Sequence, residues 1–170
     1  MKKIKAAFFD RDGTLIKDVN YLSSLKQIEI MPGIIDLLSN LQSQNYKLFV
    51  ITNQSGVARG FFDESFVQKT HEFLTELFKS KNIFFEKFYY CPHHPDKSIL
   101  KKYLIDCECR KPNIGLFLQA AKEFNIDLSE SLMFGDKILD IQAGQKALCK
   151  SFYIQEILKT KDFEKGLVYE

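Results

Sequence analysis

Two aspartates one residue apart close the short apolar run Ile4–Phe9, in the segment Asp10-Arg11-Asp12-Gly13-Thr14. Far along the chain Asp136 closes a second apolar run in Gly135-Asp136-Lys137, and Asp140 follows one helical turn later. In open parallel sheets ligands lie beyond the carboxyl ends of the strands, so carboxylates at these places converge on one edge. Gly13 permits the tight turn that brings Asp10 and Asp12 to the same mouth. By itself that first segment reads equally well as a capped turn, which acidic residues favour. Three or four carboxylates on one edge repel one another and call for a divalent cation, and an all-oxygen donor set suits Mg²⁺. A carboxylate beside such an ion can attack phosphorus and become an aspartyl phosphate, while the metal offsets the charge of nucleophile and substrate alike. Thr52, after the apolar run Lys47–Ile51, offers a hydroxyl to a transferring phosphoryl group, and Lys111 offers it a positive charge. Singly, these two are ordinary strand-end and surface residues; their weight lies in their order along the chain.

A second constellation is sulfur-rich. Three of the four cysteines fall in Cys91-Pro92-His93 and Cys107-Glu108-Cys109, giving three thiolates and an imidazole, the donor set of a closed structural zinc site. Soft sulfur ligands and the lack of an open position argue against a catalytic metal there. The one-residue spacing of Cys107 and Cys109 is tighter than a usual zinc-finger hairpin, so unrelated buried thiols remain an alternative, and His94 competes with His93. A metal tie ending at Cys109 would order a long loop and set Arg110 and Lys111 at the mouth of the magnesium site. The planar fork of Arg110 suits a second phosphate or sugar hydroxyls. Without the surrounding motifs, the pair would read as solvated surface charge. Cys149 reads as a small core residue and His71 as structural.

The elements that must hold these groups alternate. Ile4–Phe9, Lys47–Thr52, Glu86–Tyr90, Ser131–Phe134 and Ser151–Ile154 read as strands. Gly33–Gln44 reads as a helix with Ile34, Leu37, Leu38 and Leu41 inward. Asp63 caps a helix over Asp63–Ser80 with Phe66, Phe73, Leu74 and Leu77 inward. Asn113–Phe124, with Leu116, Phe117 and Ala120 inward, and Ile138–Ala147 are two more. Cys91–Pro112 has neither period and is a long functional loop. The tail from Gln155 to Glu170 is too mixed to assign. The expectation is a Rossmann-like α/β three-layer sandwich with a mainly parallel sheet, one domain over residues 1–170 and a zinc-stabilised loop near 91–110.

Composition narrows the class. With 170 residues, 45% hydrophobic and 27% charged, the chain fits a globular domain and neither a disordered nor a fibrous protein. A net charge of +2, from 24 basic and 22 acidic residues, gives no electrostatic footprint for nucleic acid. No stretch approaches the roughly 18 apolar residues of a membrane span. The N-terminus lacks the features of a signal peptide, and the clustered cysteines suit a reducing compartment, so a cytoplasmic protein is expected.

The segments Phe9-Asp10-Arg11-Asp12-Gly13-Thr14-Leu15, Thr52-Asn53-Gln54, Arg110-Lys111-Pro112 and Gly135-Asp136-Lys137 with Asp140 together resemble the four motifs of the haloacid-dehalogenase-like phosphatases, in order, from Ile4 to about Ala147. That resemblance implies that Asp10 is the nucleophile and Asp12 the general acid and base. It implies that Asp10, the main-chain carbonyl of Asp12, and Asp136 hold Mg²⁺, with the neighbouring Lys137 a further candidate at the metal edge, and that Thr52 and Lys111 stabilise the phosphoryl group. The Cys-x-His…Cys-x-Cys-Arg-Lys-Pro loop is similar to that of the heptose bisphosphate phosphatases and the related histidinol phosphatases, and it assigns zinc to Cys91, His93, Cys107 and Cys109. The run Thr52-Asn53-Gln54-Ser55-Gly56-Val57-Ala58-Arg59-Gly60 resembles the heptose version and implies substrate contacts from Asn53, Gln54, Ser55 and Arg59 beside Arg110. Asp18 and Tyr21 occupy a place where those enzymes touch substrate, and read equally as ordinary loop residues. The implied activity is removal of the C7 phosphate from D-glycero-D-manno-heptose 1,7-bisphosphate, a small phosphorylated sugar. For that family the chain is short, leaving little room between Thr14 and Thr52 or after Thr52 for a large cap domain, so no large cap domain is expected, and the expected state is a monomer. Histidinol-phosphate phosphatase is the rival within the family, and a non-catalytic metal-binding module the rival outside it.

Overall fold

The computed structural model describes residues 3–160. Five parallel strands form one sheet: β1 (Ala6–Phe9), β2 (Lys47–Asn53), β3 (Phe85–Cys91), β4 (Leu132–Gly135) and β5 (Lys150–Tyr153), in the order β3-β2-β1-β4-β5. The helices are α1 (Ile34–Ser43), α2 (Glu64–Lys79), α3 (Gly115–Phe124), α4 (Ile138–Lys146) and α5 (Ile154–Thr160).

All four residues of β1 are buried, and strand alternation divides them between two cores. Ala7 and Phe9 join Leu37, Leu38 and Leu41 of α1, Leu74 and Phe78 of α2, and Ile154 and Ile157 of α5. Ala6 and Phe8 face the other way, onto Leu116, Phe117 and Ala120 of α3 and Ala143 of α4. Phe9 stacks on Phe134 at 4.9 Å, and Phe8 meets Phe117 edge-on at 5.0 Å, so the abundant phenylalanines fill both layers. This is the expected three-layer sandwich. Leading from β2 to β3 and then back across β1 to β4, the chain reverses its direction of travel beside β1, the place where such sheets open a crevice.

The element boundaries follow the sequence reading to within one or two residues at each end, and three particulars differ. Ile4 makes only an isolated bridge to Ile126, outside β1. The inward face of α2 is Val67, Thr70, His71, Leu74 and Phe78, whereas Phe73 is 41% exposed. The stripe through Leu74 and Phe78 passes through Val67, Thr70 and His71, leaving Phe73 to one side of it. The unassigned tail begins with α5, which follows β5 directly; residues 161–170 lie outside the described residues. Asp63 caps α2 as expected, its Oδ1 accepting from the Phe66 N–H at 2.8 Å.

Between β1 and α1 the described chain carries only a 3₁₀ turn, Leu25–Gln27, and isolated bridges. Between β2 and α2 it carries no regular element. The long loop between β3 and α3 holds one 3₁₀ turn, Lys101–Tyr103. The site beyond the strand ends is therefore covered by loops alone.

Candidate active site

Asp10 leaves β1 with its N–H bonded to the Phe134 carbonyl of β4 at 3.0 Å, which fixes its place at the sheet edge. Its Oδ1 is 2.7 Å from the Lys111 ammonium, which also reaches Asp140 Oδ1 at 2.6 Å and donates to the Ile51 carbonyl at 2.7 Å. All three protons of Lys111 are thus matched in a residue 2% exposed. Burial pushes the Asp10 carboxyl up to about 7, with Lys111 opposing the rise and Asp140 adding to it. Burial alone would lower Lys111, but Asp10 and Asp140 hold it above its ordinary value.

One carboxylate oxygen each from Asp10, Asp136 and Asp140 lie within 4.8 Å of one another. Asp140 has one oxygen on Lys111 and the other accepting from the Lys137 N–H at 3.0 Å, at the start of α4. Asp136 Oδ1 is buried and has no hydrogen-bond partner among the described residues. Burial raises its pKa. An orphaned buried carboxylate oxygen facing another carboxylate is what a hard cation satisfies, so the residues present fit Mg²⁺. Gly13 makes the approach feasible: it has φ +82°, and a Cβ there would sit 2.4 Å from Asp136 Oδ2. Lys137 does not join the ligands. Its ammonium turns to Asp18 at 3.4 Å and is held charged, burial opposing and Asp136 and Asp18 favouring that state, so it has no lone pair for a cation. The carboxylate of Asp12 also stands outside the cluster.

Asp12 is held instead by its neighbours. Arg11, 2% exposed, places Nη2 2.9 Å from Asp12 Oδ2 and Nε 3.1 Å from the same oxygen. The Gln54 amide nitrogen donates to Asp12 Oδ2 and to Thr52 Oγ1, both at 2.9 Å, while its Oε1 accepts from Arg11 Nη2 at 2.8 Å. Because Thr52 Oγ1 accepts that bond, its own proton remains to be donated elsewhere. On the far side, Arg11 Nη1 is 3.3 Å from His71 Nε2. Gln54, expected at the substrate, thus has its amide committed to Asp12, Thr52 and Arg11. Asn53 is likewise committed: its Nδ2 donates to the Lys111 carbonyl at 3.1 Å, and its Oδ1 accepts from the Lys111 N–H at 3.0 Å. The sequence reading gives Arg11 no part and His71 only a structural one; the position of Arg11 between the two aspartates is the one signal that points toward it.

The four sulfur and nitrogen donors of Cys91, His93, Cys107 and Cys109 also converge within 4.8 Å. Cys109 Sγ lies 2.9 Å from Cys91 Sγ and 3.2 Å from Cys107 Sγ, and His93 Nδ1 lies 3.3 Å from Cys109 Sγ. The Cys91–Cys109 contact brings Cys109 down to about 5 and pushes Cys91 up, while burial raises Cys107. The donor chemistry fits zinc. His94 stands apart, its Nδ1 accepting from the N–H groups of Asp96 and Lys97, which removes it from competition. Cys149 is buried outside the cluster.

A cavity of about 220 Å³ opens over these groups, lined among others by Asp12, Asp18, Tyr21, Ser55, Arg110 and Lys137. Arg110 donates to the His93 carbonyl at 3.2 Å, which ties it to the cysteine cluster. Tyr21, at φ +71°, stands edge-on to Phe61 at 4.6 Å. Arg59 is not among the lining residues; its guanidinium lies 5.7 Å from the centre of the Tyr21 ring.

Known proteins resemble this chain over most of its length. A family model described as polynucleotide kinase 3 phosphatase matches residues 5–165. The D-glycero-beta-D-manno-heptose-1,7-bisphosphate 7-phosphatase of Haemophilus influenzae is 41% identical over 146 residues, 86% of this chain and 78% of that one. The D-glycero-alpha-D-manno-heptose-1,7-bisphosphate 7-phosphatase of Photorhabdus laumondii is 39% identical over 145 residues, 85% of this chain and 79% of that one. Among solved structures, the D,D-heptose 1,7-bisphosphate phosphatase of B. bronchiseptica, complexed with magnesium and phosphate, superposes with a TM-score of 0.77 at 28% identity, covering 88% of this chain and 80% of that one.

Proposed function

The chain belongs to the family of the heptose-1,7-bisphosphate 7-phosphatases, and on that premise we propose that it hydrolyses the C7 phosphate of D-glycero-D-manno-heptose 1,7-bisphosphate through a phosphoryl-aspartate on Asp10. The observation that carries the mechanism is the placing of Asp10 and Asp12 at one mouth, one carboxylate held by Lys111 and the other by Arg11 and Gln54. It is a phosphoric monoester hydrolase.

In the first step Asp10 attacks phosphorus in line. The bond from phosphorus to the C7 oxygen breaks, and Asp12 gives its proton to that oxygen. In the second step Asp12, now a carboxylate, takes a proton from water. The water oxygen attacks phosphorus, and the bond to Asp10 breaks to release phosphate. Thr52 directs its free proton at the phosphoryl oxygens, and Lys111 stays beside Asp10 to balance charge as it moves. Mg²⁺ bound by Asp10 and Asp136 supplies charge neutralisation for nucleophile and phosphate. Cys91, His93, Cys107 and Cys109 would hold zinc, which would tie down the loop that delivers Arg110 and Lys111. Arg110, Ser55, Asp18 and Tyr21 line the space left for the sugar and its second phosphate. No described helix is long and apolar enough to cross a membrane. The proposed setting is a monomer in the cytoplasm, feeding nucleotide-activated heptose to surface polysaccharide.

Phosphate release with Mg²⁺ from heptose 1,7-bisphosphate, run beside histidinol phosphate, tests the reading. Loss of one phosphate per heptose with little release from histidinol phosphate is expected. Preference for histidinol phosphate would overturn the substrate while retaining the chemistry.

A further inference from the structure

We propose that His71, on the buried face of α2, is a positioning residue for the acid–base carboxylate, acting through Arg11: it accepts from Arg11 Nη1 and so fixes the guanidinium whose other nitrogens hold Asp12. The inference rests on the phosphatase reading above.

Three contacts define the plane of the Arg11 guanidinium. Nη2 and Nε hold Asp12 Oδ2, Nη2 also donates to Gln54 Oε1, and Nη1 faces His71 Nε2 at 3.3 Å. Arg11 has salt-bridge contact with Asp12 alone among the described residues, so Nη1 depends on an uncharged acceptor. His71 can supply one only as the neutral imidazole, because the protonated ring has no free lone pair. Burial first, then the Arg11 charge, takes His71 down to about 3, so the ring stays neutral throughout the neutral range, and Nε2, which faces an arginine donor, is the nitrogen that accepts. The ring is itself immobilised, 7% exposed and packed 5.0 Å from Phe88 and 5.7 Å from Tyr90.

A histidine committed to core packing alone would need no arginine against its nitrogen. Here a buried cation is pinned on two sides by neutral acceptors from β2's end and α2, and its third side is left for Asp12. Without the His71 acceptor, Nη1 is an unsatisfied buried donor, and the arginine relieves it by rotating. Such rotation takes the fork off Asp12, and a small misplacement of an acid–base group costs rate heavily.

The test follows the two chemical steps separately by rapid acid quench with p-nitrophenyl phosphate and Mg²⁺. An aryl leaving group departs without a proton, so forming the phospho-enzyme does not need Asp12, whereas hydrolysing it does. In His71→Phe, which keeps a ring against Phe88 and deletes the acceptor, hydrolysis is expected to slow about tenfold while formation changes less than about twofold. His71→Gln, which restores an acceptor, is expected to bring hydrolysis back to within about threefold of the parent. Should His71→Phe not fold, His71→Leu makes the same comparison. Rates that match the parent, rates that fall in parallel, or failure of His71→Gln to rescue overturn the inference alone. A parent protein that releases no phosphate from p-nitrophenyl phosphate or from heptose 1,7-bisphosphate overturns the phosphatase reading, and this inference with it.

Discussion

Asn53 grips the main chain of Lys111 with both halves of its amide, donating to the carbonyl at 3.1 Å and accepting from the N–H at 3.0 Å across 58 residues of sequence. The side chain that ends β2 therefore sets the depth at which the long loop delivers its lysine. Asn53→Ala removes two hydrogen bonds worth about 1 kcal/mol each. It is expected to lower kcat about tenfold or more, because an ammonium displaced by a fraction of an ångström no longer meets Asp10. Steady-state kinetics beside a urea unfolding curve checks this, and a kcat unchanged from the parent would refute it.

Asp10→Asn keeps the shape of the carboxylate and removes its nucleophilicity. Lys111 retains Asp140 and the Ile51 carbonyl, so the fold is expected to persist. Turnover should fall to background, and mass spectrometry after acid quench should find no phosphorylated protein. Appreciable residual activity would move the nucleophile elsewhere.

Much of this site was legible in the sequence because its parts sit where strands end. The apolar runs before Asp10, Thr52 and Asp136 give both the strand and the position of its last residue, and parallel pairing does the rest. Leu37, Leu38 and Leu41 took their buried places for the same reason, since a helical stripe is a local property. The exceptions are properties of three-dimensional neighbours. Asn53 and Gln54 carry free amides in any sequence reading, and only the approach of Lys111 and Asp12 shows those amides to be engaged. Phe73 was placed inward by its hydrophobicity, yet the stripe of α2 runs through His71. That polar residue takes the inner position because Arg11 waits opposite, a partner 60 residues away that no periodicity reveals.

Gly13→Ala tests the metal edge. A Cβ there would stand 2.4 Å from Asp136 Oδ2, and an L-residue at a positive φ costs roughly 1–2 kcal/mol in itself. Asp136 must swing away from Asp10, so the Mg²⁺ concentration for half-maximal activity is expected to rise at least about tenfold. Titration of activity with Mg²⁺ measures it; an unchanged midpoint would remove Asp136 from the ligands.

The low pKa of His71 makes acid stability a second measure of the same residue. The folded protein keeps His71 neutral down to about 3, while the unfolded chain takes up the proton near 6.5. Between those values the unfolded state binds more protons, so His71 costs stability as pH falls from about 6.5 toward 3, at up to about 1.4 kcal/mol per pH unit. His71→Gln lacks that loss. Urea unfolding of parent and variant at pH 6.5 and pH 5 should show a stability difference moving in the variant's favour at the lower pH. A difference independent of pH would mean that His71 takes up its proton as readily in the folded protein as in the unfolded chain.

The sulfur cluster reaches the phosphate only through its loop. Arg110 is tied to the His93 carbonyl, Asn113 donates to the Cys107 carbonyl at 2.9 Å, and Lys111 follows two residues after Cys109. Cys107→Ser should therefore lose zinc, read by metal analysis of the purified protein, and loosen Arg110 and Lys111 together. Supporting residues around metal sites typically cost about 10–100-fold in function when altered, and a fall in kcat within that range is expected. The Mg²⁺ midpoint should stay near the parent value, because Asp10 and Asp136 come from β1 and β4 and not from the loop. That separation distinguishes the clamp from a second catalytic metal: a zinc-free protein with full activity and unchanged stability would refute the clamp, and one whose Mg²⁺ dependence also collapses would join the two metals in a single site.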